Sequence, residues 1–153
     1  MDVVNLAEKF SLFTDRWSPK IVGEVNDMHV KLVKLAGEFV WHQHEREDEL
    51  FLVVAGRLRM QLRGGDREVG PGELIVVPKG TEHCPLALTD EVHVLLLEPK
   101  TTLNTGNVVN ERTVAALDRL WAAPCPVLSS FRISARASWK PRSAMSSSRK
   151  ATS

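Results

Sequence analysis

A series of about eight short apolar runs, separated by turn residues at roughly 8–12-residue intervals, restricts the fold of this chain more than any other feature. The clearest run, RLRMQLR at 57–63, alternates apolar and polar side chains and ends at the turn Gly64-Gly65-Asp66. A period of two is typical of a strand that buries one face, and a glycine-rich turn joins two such strands into a hairpin. No helical pattern separates the runs, so we predict an all-β sandwich or barrel.

Two of the predicted strands, at 49–56 and 91–99, are apolar on both faces. One face of each would pack in the core, and the other needs cover from a second sheet, the N-terminal segment or a second subunit. We therefore predict a homodimer. The other predicted strands are 20–25, 29–37, 57–63, two runs within 67–80 around Gly70-Pro71-Gly72, and 82–88.

Short helices are predicted near both ends of this β-rich region. In residues 3–13, Asn5 stands three residues before Glu8, which is the spacing of a helix N-cap and its partner, and apolar side chains follow at helical intervals. Residues 110–120 (NERTVAALDRL) can form a terminal helix. The domain is thus predicted to be a barrel with short terminal helices over residues 1–120.

Residues 121–153 differ in composition from the rest of the chain. They contain nine serines, six basic residues and no acidic residue, without any periodicity, and we predict that this basic, Ser-rich tail is disordered. A polybasic arm for an acidic partner, or read-through in a shifted frame, are the alternatives. Residues 1–120 hold 14 Lys and Arg against 19 Asp and Glu, a net charge of −5, so nucleic acid is not an expected partner.

The sequence also bears on the cellular compartment. No apolar run approaches the roughly 20 residues that span a bilayer, and the first residues lack the pattern of a secretory signal. We expect a cytoplasmic protein without a membrane partner. Cys84 and Cys125 fit that compartment as free thiols, although a single disulfide between them stays open.

Four residues have the chemistry of a metal site. His42 and His44 would share one face of a strand, Glu49 begins the next apolar run, and His83 follows a later turn. Imidazole nitrogens and a carboxylate oxygen suit a divalent transition metal, and four protein ligands leave coordination positions for water or substrate. Glu47 is the main rival to Glu49.

Other ionisable residues have simpler interpretations. His29 and His93 are single histidines in strands, where a core or surface role is commoner than metal binding, although His93 has some chance of reaching the pocket. Cys84 should point away from His83 on a regular strand, which argues against a catalytic thiol.

Two spaced motifs resemble those of the cupin family, most closely its small stand-alone bacterial members, often labelled mannose-6-phosphate isomerase-like. The first is Gly37-x4-His42-x-His44-x4-Glu49-x6-Gly56, and the second is Gly72-x5-Pro78-x-Gly80-x2-His83. The first has four residues between its glycine and first histidine where the family usually has five, and Ala87 replaces the asparagine that usually ends the second.

The resemblance implies a double-stranded β-helix, the cupin jelly-roll barrel, with a metal inside. His42, His44, Glu49 and His83 match the family's metal ligands one by one. The family's metals are iron, manganese, nickel, zinc or copper, and this ligand set does not choose among them.

The chain offers little catalytic machinery besides the metal site. It contains no tyrosine, which excludes mechanisms that use a tyrosine acid, and it lacks a phosphate-binding loop and a dinucleotide fingerprint. No residue is identified as catalytic. We predict a divalent-metal-dependent enzyme, of isomerase or dioxygenase type, that acts on a small polar substrate such as a sugar or organic acid. The alternative is a non-catalytic module that binds a small molecule or sugar and carries a structural metal; a purely structural protein is a third possibility.

Overall fold

The architecture was analysed in a computed structural model that describes residues 3–120. Within them the chain forms one short helix and eight strands, in agreement with the predicted series. The elements are α1 (Leu6–Ser11), β1 (Lys20–Val25), β2 (Met28–Leu35), β3 (Glu49–Ala55), β4 (Leu58–Leu62), β5 (Arg67–Val69), β6 (Leu74–Val77), β7 (His83–Ala87) and β8 (Val92–Pro99).

The strands form two antiparallel sheets. The larger has the order β1-β2-β8-β3-β6, and the smaller has the order β5-β4-β7. Since β8 pairs with β2 on one side and with β3 on the other, residues far apart in the chain meet at the centre of the larger sheet. The prediction of an all-β, jelly-roll architecture is confirmed.

The main core lies on the inner faces of the sheets. It combines aliphatic and aromatic residues of six strands with Met60, and β8 supplies every second residue from Val92. Full burial of one such side chain stabilises the fold by about 1.5–3 kcal/mol. The members are Val33, Leu35, Phe51, Val53, Leu58, Met60, Val69, Val77, Val92, Val94 and Leu96.

A second, smaller core covers part of the outer face of the larger sheet. Phe10 and Phe13, from α1 and the segment after it, pack against Val22 and Leu32, and Leu95 joins them from β8. The N-terminal segment therefore supplies some of the cover that the two-sided apolar strands require.

The N-terminal helix is shorter than the predicted 3–13, but its cap is the predicted one. The Asn5 side-chain oxygen accepts a hydrogen bond from the Glu8 backbone N–H at 3.1 Å. This bond satisfies one of the backbone donors that a helix start leaves free.

The predicted helix at 110–120 is wrong, because this segment forms turns and then pairs with an edge strand. The Ile21 N–H donates to the Asp118 carbonyl, and the Leu120 N–H donates to the Ile21 carbonyl, both at 2.8 Å. The outer edge of β1 has backbone groups that need partners, and this pairing satisfies them, which outweighs the weak helical preference of the segment.

Residues 3–120 all belong to the predicted first domain. The predicted tail, 121–153, lies outside the described residues, and so does Cys125. Among the described residues, no helix has the length and apolar character needed to cross a membrane.

Candidate metal centre

The four predicted ligands come from three places in the barrel. Glu49 is the first residue of β3 and His83 is the first residue of β7. His42 and His44 lie in the connection between β2 and β3. The sequence predicts a strand here, but the connection is irregular; within it, His42 forms an isolated bridge with His83. In that bridge each residue's N–H donates to the other's carbonyl, at 3.0 and 2.9 Å.

These side chains converge on one point inside the barrel. One potential ligand atom from each of His42, His44, Glu49 and His83 lies within 4.8 Å of all the others. The exposed fraction of these residues is between 0 and 5%. The arrangement has the spacing and the donor types of a buried transition-metal site.

Backbone carbonyls fix the tautomers of two of the imidazoles. His42 Nδ1 lies 2.9 Å from the Val40 carbonyl oxygen, and His83 Nδ1 lies 2.8 Å from that of Thr81. A carbonyl oxygen only accepts, so each Nδ1 carries the proton and each Nε2 keeps its lone pair. Metal-binding histidines are commonly oriented by such a bond.

Three other buried polar atoms at the centre have no hydrogen-bond partner among the described residues. They are His44 Nε2, His83 Nε2 and Glu49 Oε2, and the carboxylate oxygen lies 3.3 and 3.5 Å from the two nitrogens. A buried polar atom without a partner costs about 1–3 kcal/mol. One divalent cation would satisfy all three atoms, so the residues present fit a transition metal.

The electrostatics of the centre favour metal-binding protonation states at neutral pH. Burial lowers the pKa of His42 to about 4, and the neighbouring His83 contributes in the same direction. Burial raises the pKa of Glu49, but the nearby imidazoles of His44 and His83 outweigh this effect and lower the pKa to about 2. His42 is therefore neutral and Glu49 is ionised.

The loop that contains Gly106 and Asn107, which sequence analysis missed, is hydrogen-bonded to Gln43, the residue between the first two histidines. The Gln43 N–H donates to the Asn107 side-chain oxygen at 3.0 Å, and the Asn107 N–H donates to the Gln43 carbonyl at 3.1 Å. Gly106 has a φ of +52°, and a Cβ there would clash with the Gln43 carbonyl and approach His42 to 3.3 Å. The glycine thus allows the loop to approach the centre closely.

Sequence analysis also missed a buried ion pair beside the centre. Lys31 Nζ lies 2.6 Å from Glu98 Oε1, and each side chain is 1% exposed. Burial raises the pKa of Glu98, the charge on Glu49 adds to this, and Lys31 opposes it. The period of two along β8 could have identified Glu98 as buried, because Glu98 lies on the same face of the strand as the core residues from Val92 to Leu96.

The structure separates the other candidates from the centre. Glu47 accepts a hydrogen bond from Thr101 at 3.1 Å, and His93 stacks on Phe10 and contacts Glu91 at 2.8 Å. His29 is buried 3.5 Å from a carboxylate oxygen of Glu24, away from the ligand cluster.

Cys84 is a free, fully buried thiol whose Sγ lies 3.7 Å from a Glu38 carboxylate oxygen. Burial raises the pKa of this thiol to about 11, and the Glu38 charge contributes. A thiol in this state is a poor nucleophile, in agreement with its interpretation as non-catalytic.

The structure thus defines a small two-sheet β-barrel with a buried three-histidine, one-carboxylate centre. The model of the Cupin domain matches residues 28–98. A cupin-2 domain protein from Shewanella frigidimarina is 45% identical in sequence; the alignment covers 64% of this chain and 95% of that one, with a TM-score of 0.62. The chain belongs to the cupin family, and its prediction as a small single-domain cupin is confirmed.

Two further proteins are similar to this chain. The crystal structure of a Neisseria meningitidis protein has 27% identity, covers 65% of this chain and all (100%) of that one, and gives a TM-score of 0.59. The uncharacterized protein YdbB of Bacillus subtilis (strain 168) is 38% identical over 63 residues, or 40% of this chain. That match spans 56% of the length of the Bacillus protein.

Proposed function

We propose that this cupin binds one divalent transition metal through His42, His44, Glu49 and His83, and that it is a metal-dependent enzyme for a small polar substrate. The observation that carries the proposal is the group of four buried ligand residues whose ligand atoms lie within 4.8 Å of one another; three of these residues have a ligand atom with no hydrogen-bond partner in the described part of the chain. Without a cation, four such groups in an apolar interior would be costly to bury.

The surrounding residues form a narrow, mostly apolar cavity beside the centre. Trp17, Phe39, Phe51 and Leu96 line a cavity of about 30 Å³ that also reaches His42 and Glu49. A water needs roughly 10–15 Å³ of such space, so the cavity admits one or two waters or the narrow end of a substrate. Apolar walls strengthen the electrostatic interactions in this space by excluding bulk water.

A metal at this centre would supply Lewis-acid chemistry, in which it polarises a carbonyl or lowers the pKa of a coordinated hydroxyl. His42 and His83 hold their Nε2 lone pairs in place, and Glu49 supplies the negative charge. We favour a reaction of isomerase or dioxygenase type, with iron, manganese, nickel, zinc or copper as the metal. The small cavity also suits the alternative, a non-catalytic binding module with a structural metal.

Metal content of the untagged protein, measured by mass spectrometry, tests the proposal. We expect about one equivalent of a single transition metal in the wild type and in His93→Gln, which changes a histidine outside the centre. His44→Ala should lose most of it. Metal-free wild-type protein, even after reloading, would contradict the proposal. Turnover screens of the loaded protein with sugars, keto acids and oxygen then distinguish an enzyme from a binding module.

A further inference from the structure

The two edges of the larger sheet differ in how they are covered. Along β1, the segment 118–120 pairs with Ile21, so this edge is covered within the chain. Strand β6 pairs with β3 on one side, and no segment of residues 3–120 pairs with its other side. An unpaired edge presents a row of N–H and C=O groups that another strand can bind.

Strand β6 lacks the charges, prolines and bulges that commonly protect an open edge. Its 4 residues, Leu74–Val77 (LIVV), are all aliphatic. Its ladder with β3 is regular, since each residue from Leu74 to Val77 pairs with one residue of β3 in unbroken register. Such an edge suits pairing with a further strand.

The backbone hydrogen bonds indicate which groups of β6 point to the open edge. The Val53 N–H donates to the Glu73 carbonyl at 3.0 Å, so the Glu73 carbonyl faces β3. Alternate residues of a strand direct their backbone groups to opposite sides, so those of Ile75 also face β3. The N–H and C=O groups of Leu74 and Val76 therefore point outward.

The side chains at this edge are apolar and largely uncovered. Leu74 is 56% exposed and Val76 is 50% exposed, on the outer face of the larger sheet. They end two rows of aliphatic side chains that cross this face, and exposure falls along the second row to 0% at its last member. The rows are Val76, Leu50, Leu97 and Val30, and Leu74, Leu52, Leu95 and Leu32. The apolar surface that still needs cover is thus concentrated at β6.

We propose that β6 pairs with β6 of a second copy of this chain, antiparallel and across a two-fold axis, so that the two larger sheets join into one. Ile75 lies opposite its counterpart in the other copy. The outward N–H and C=O groups of Leu74 then bond to those of Val76 across the axis. The two aliphatic rows continue from one subunit into the other. This interface is independent of the metal centre.

The strand is complementary to itself, which favours a second copy over an unrelated partner. An antiparallel pair of identical strands is two-fold symmetric, so one patch serves both subunits. Glu73 precedes β6 and Lys79 follows it. Antiparallel pairing brings the acidic end of one strand near the basic end of the other, whereas parallel pairing would bring like charges together.

Cysteine cross-linking of the full chain tests both the pairing and its register. Cys125→Ser is the background, in which the buried Cys84 is the remaining native thiol. Directly opposite residues of an antiparallel pair have Cα atoms about 4.5–5.5 Å apart, which a disulfide can span. Ile75→Cys should therefore give a covalent dimer on mild oxidation. Leu74→Cys and Val76→Cys are the matched controls, because their offset places like-numbered Cα atoms beyond the roughly 7 Å limit.

Val76→Pro tests the backbone bonds directly. Proline removes the outward N–H and takes no hydrogen bond from the ladder with β3, so the subunit should keep the circular dichroism spectrum of the wild type. The two-fold axis doubles the loss. The dissociation constant of the dimer, measured by analytical ultracentrifugation, should rise roughly 10- to 100-fold.

Three outcomes would overturn the proposal. One is a wild-type chain that sediments as a monomer. Another is a dimer that cross-links better through Leu74→Cys or Val76→Cys than through Ile75→Cys. The third concerns hydrogen exchange of the Leu74 and Val76 amides, which should be slow in the dimer and fast after dilution to monomer. Slow exchange in the monomer would mean that another segment of the same chain covers this edge.

Discussion

Gly106→Ala should weaken both the fold and the metal centre, because Gly106 contacts the segment that carries the first two histidines. The substituted residue would keep a φ of +52°, which costs about 1–2 kcal/mol for an L-residue with a Cβ. Its Cβ would also clash with the Gln43 carbonyl, a backbone group that cannot move independently of its neighbours.

The expected magnitude follows from the bonds at stake. Two hydrogen bonds join Gln43 to Asn107, and each contributes about 0.5–1.5 kcal/mol. With the backbone strain, Gly106→Ala should lose roughly 2–5 kcal/mol of unfolding free energy. Displacement of Gln43 also shifts His42 and His44, and outer residues of this kind change metal affinity by about 10- to 100-fold.

Gly72→Ala is the matched control. Gly72 also has a positive φ, +82°, but a Cβ there would meet no atom of residues 3–120 within 4 Å, so the control carries the strain without the clash. Urea unfolding of the metal-free proteins measures stability, and competition with a chromogenic chelator measures metal affinity. The reasoning is refuted if the two variants lose equal stability, or if Gly106→Ala binds metal as tightly as the control does.

Three further predictions concern pH and assembly. Metal occupancy after dialysis should fall as the pH falls through about 4, the lowered pKa of His42, because histidine ligands bind only in the neutral form; unchanged occupancy at pH 3 would contradict the three-histidine centre. Hydrogen bonds from Lys100 and Arg119 lower the pKa of Glu24 from 4.5 to about 2, so its contribution to stability is present above pH 4.5 and is lost as the pH falls through 2. The difference in unfolding free energy between wild type and Glu24→Gln should therefore shrink from pH 6 to pH 2, and a constant difference would argue against this ion pair. Finally, we expect a dimer by light scattering, and Leu74→Lys/Val76→Lys, which alters two half-exposed residues of the edge strand β6, should shift it toward monomer; a wild-type monomer would refute the prediction.

The strands could be predicted because local signals agree with the tertiary structure. In β4 the alternation of Leu58 and Met60 with polar residues matches the burial observed, and the glycine turn before β5 lies where the sequence places it. The spacing of the two sequence motifs likewise identified the four residues whose side chains converge inside the barrel. Their role as metal ligands, the dimer and the cytoplasmic location stay predictions.

The missed features depend on tertiary contacts. Strand β2 contains Lys31 and Lys34 among apolar residues, and the sequence does not tell which lysine faces the core; the structure buries Lys31 against Glu98. The pairing of residues 118–120 with β1 could not be predicted, because the sequence does not show that β1 is an edge strand with backbone groups left to pair. The loop around Gly106 meets Gln43 across more than 60 residues of sequence, a contact that no local pattern encodes.

The backbone bridge between His42 and His83 has a consequence for the thermodynamics of metal uptake. Its two hydrogen bonds fix the positions of these residues when the barrel folds. The conformational entropy of ordering them, about 1–2 kcal/mol per residue for the backbone, is therefore lost during folding and not during ion binding. Binding calorimetry should accordingly show a small heat-capacity change, since little apolar surface becomes buried when the ion enters.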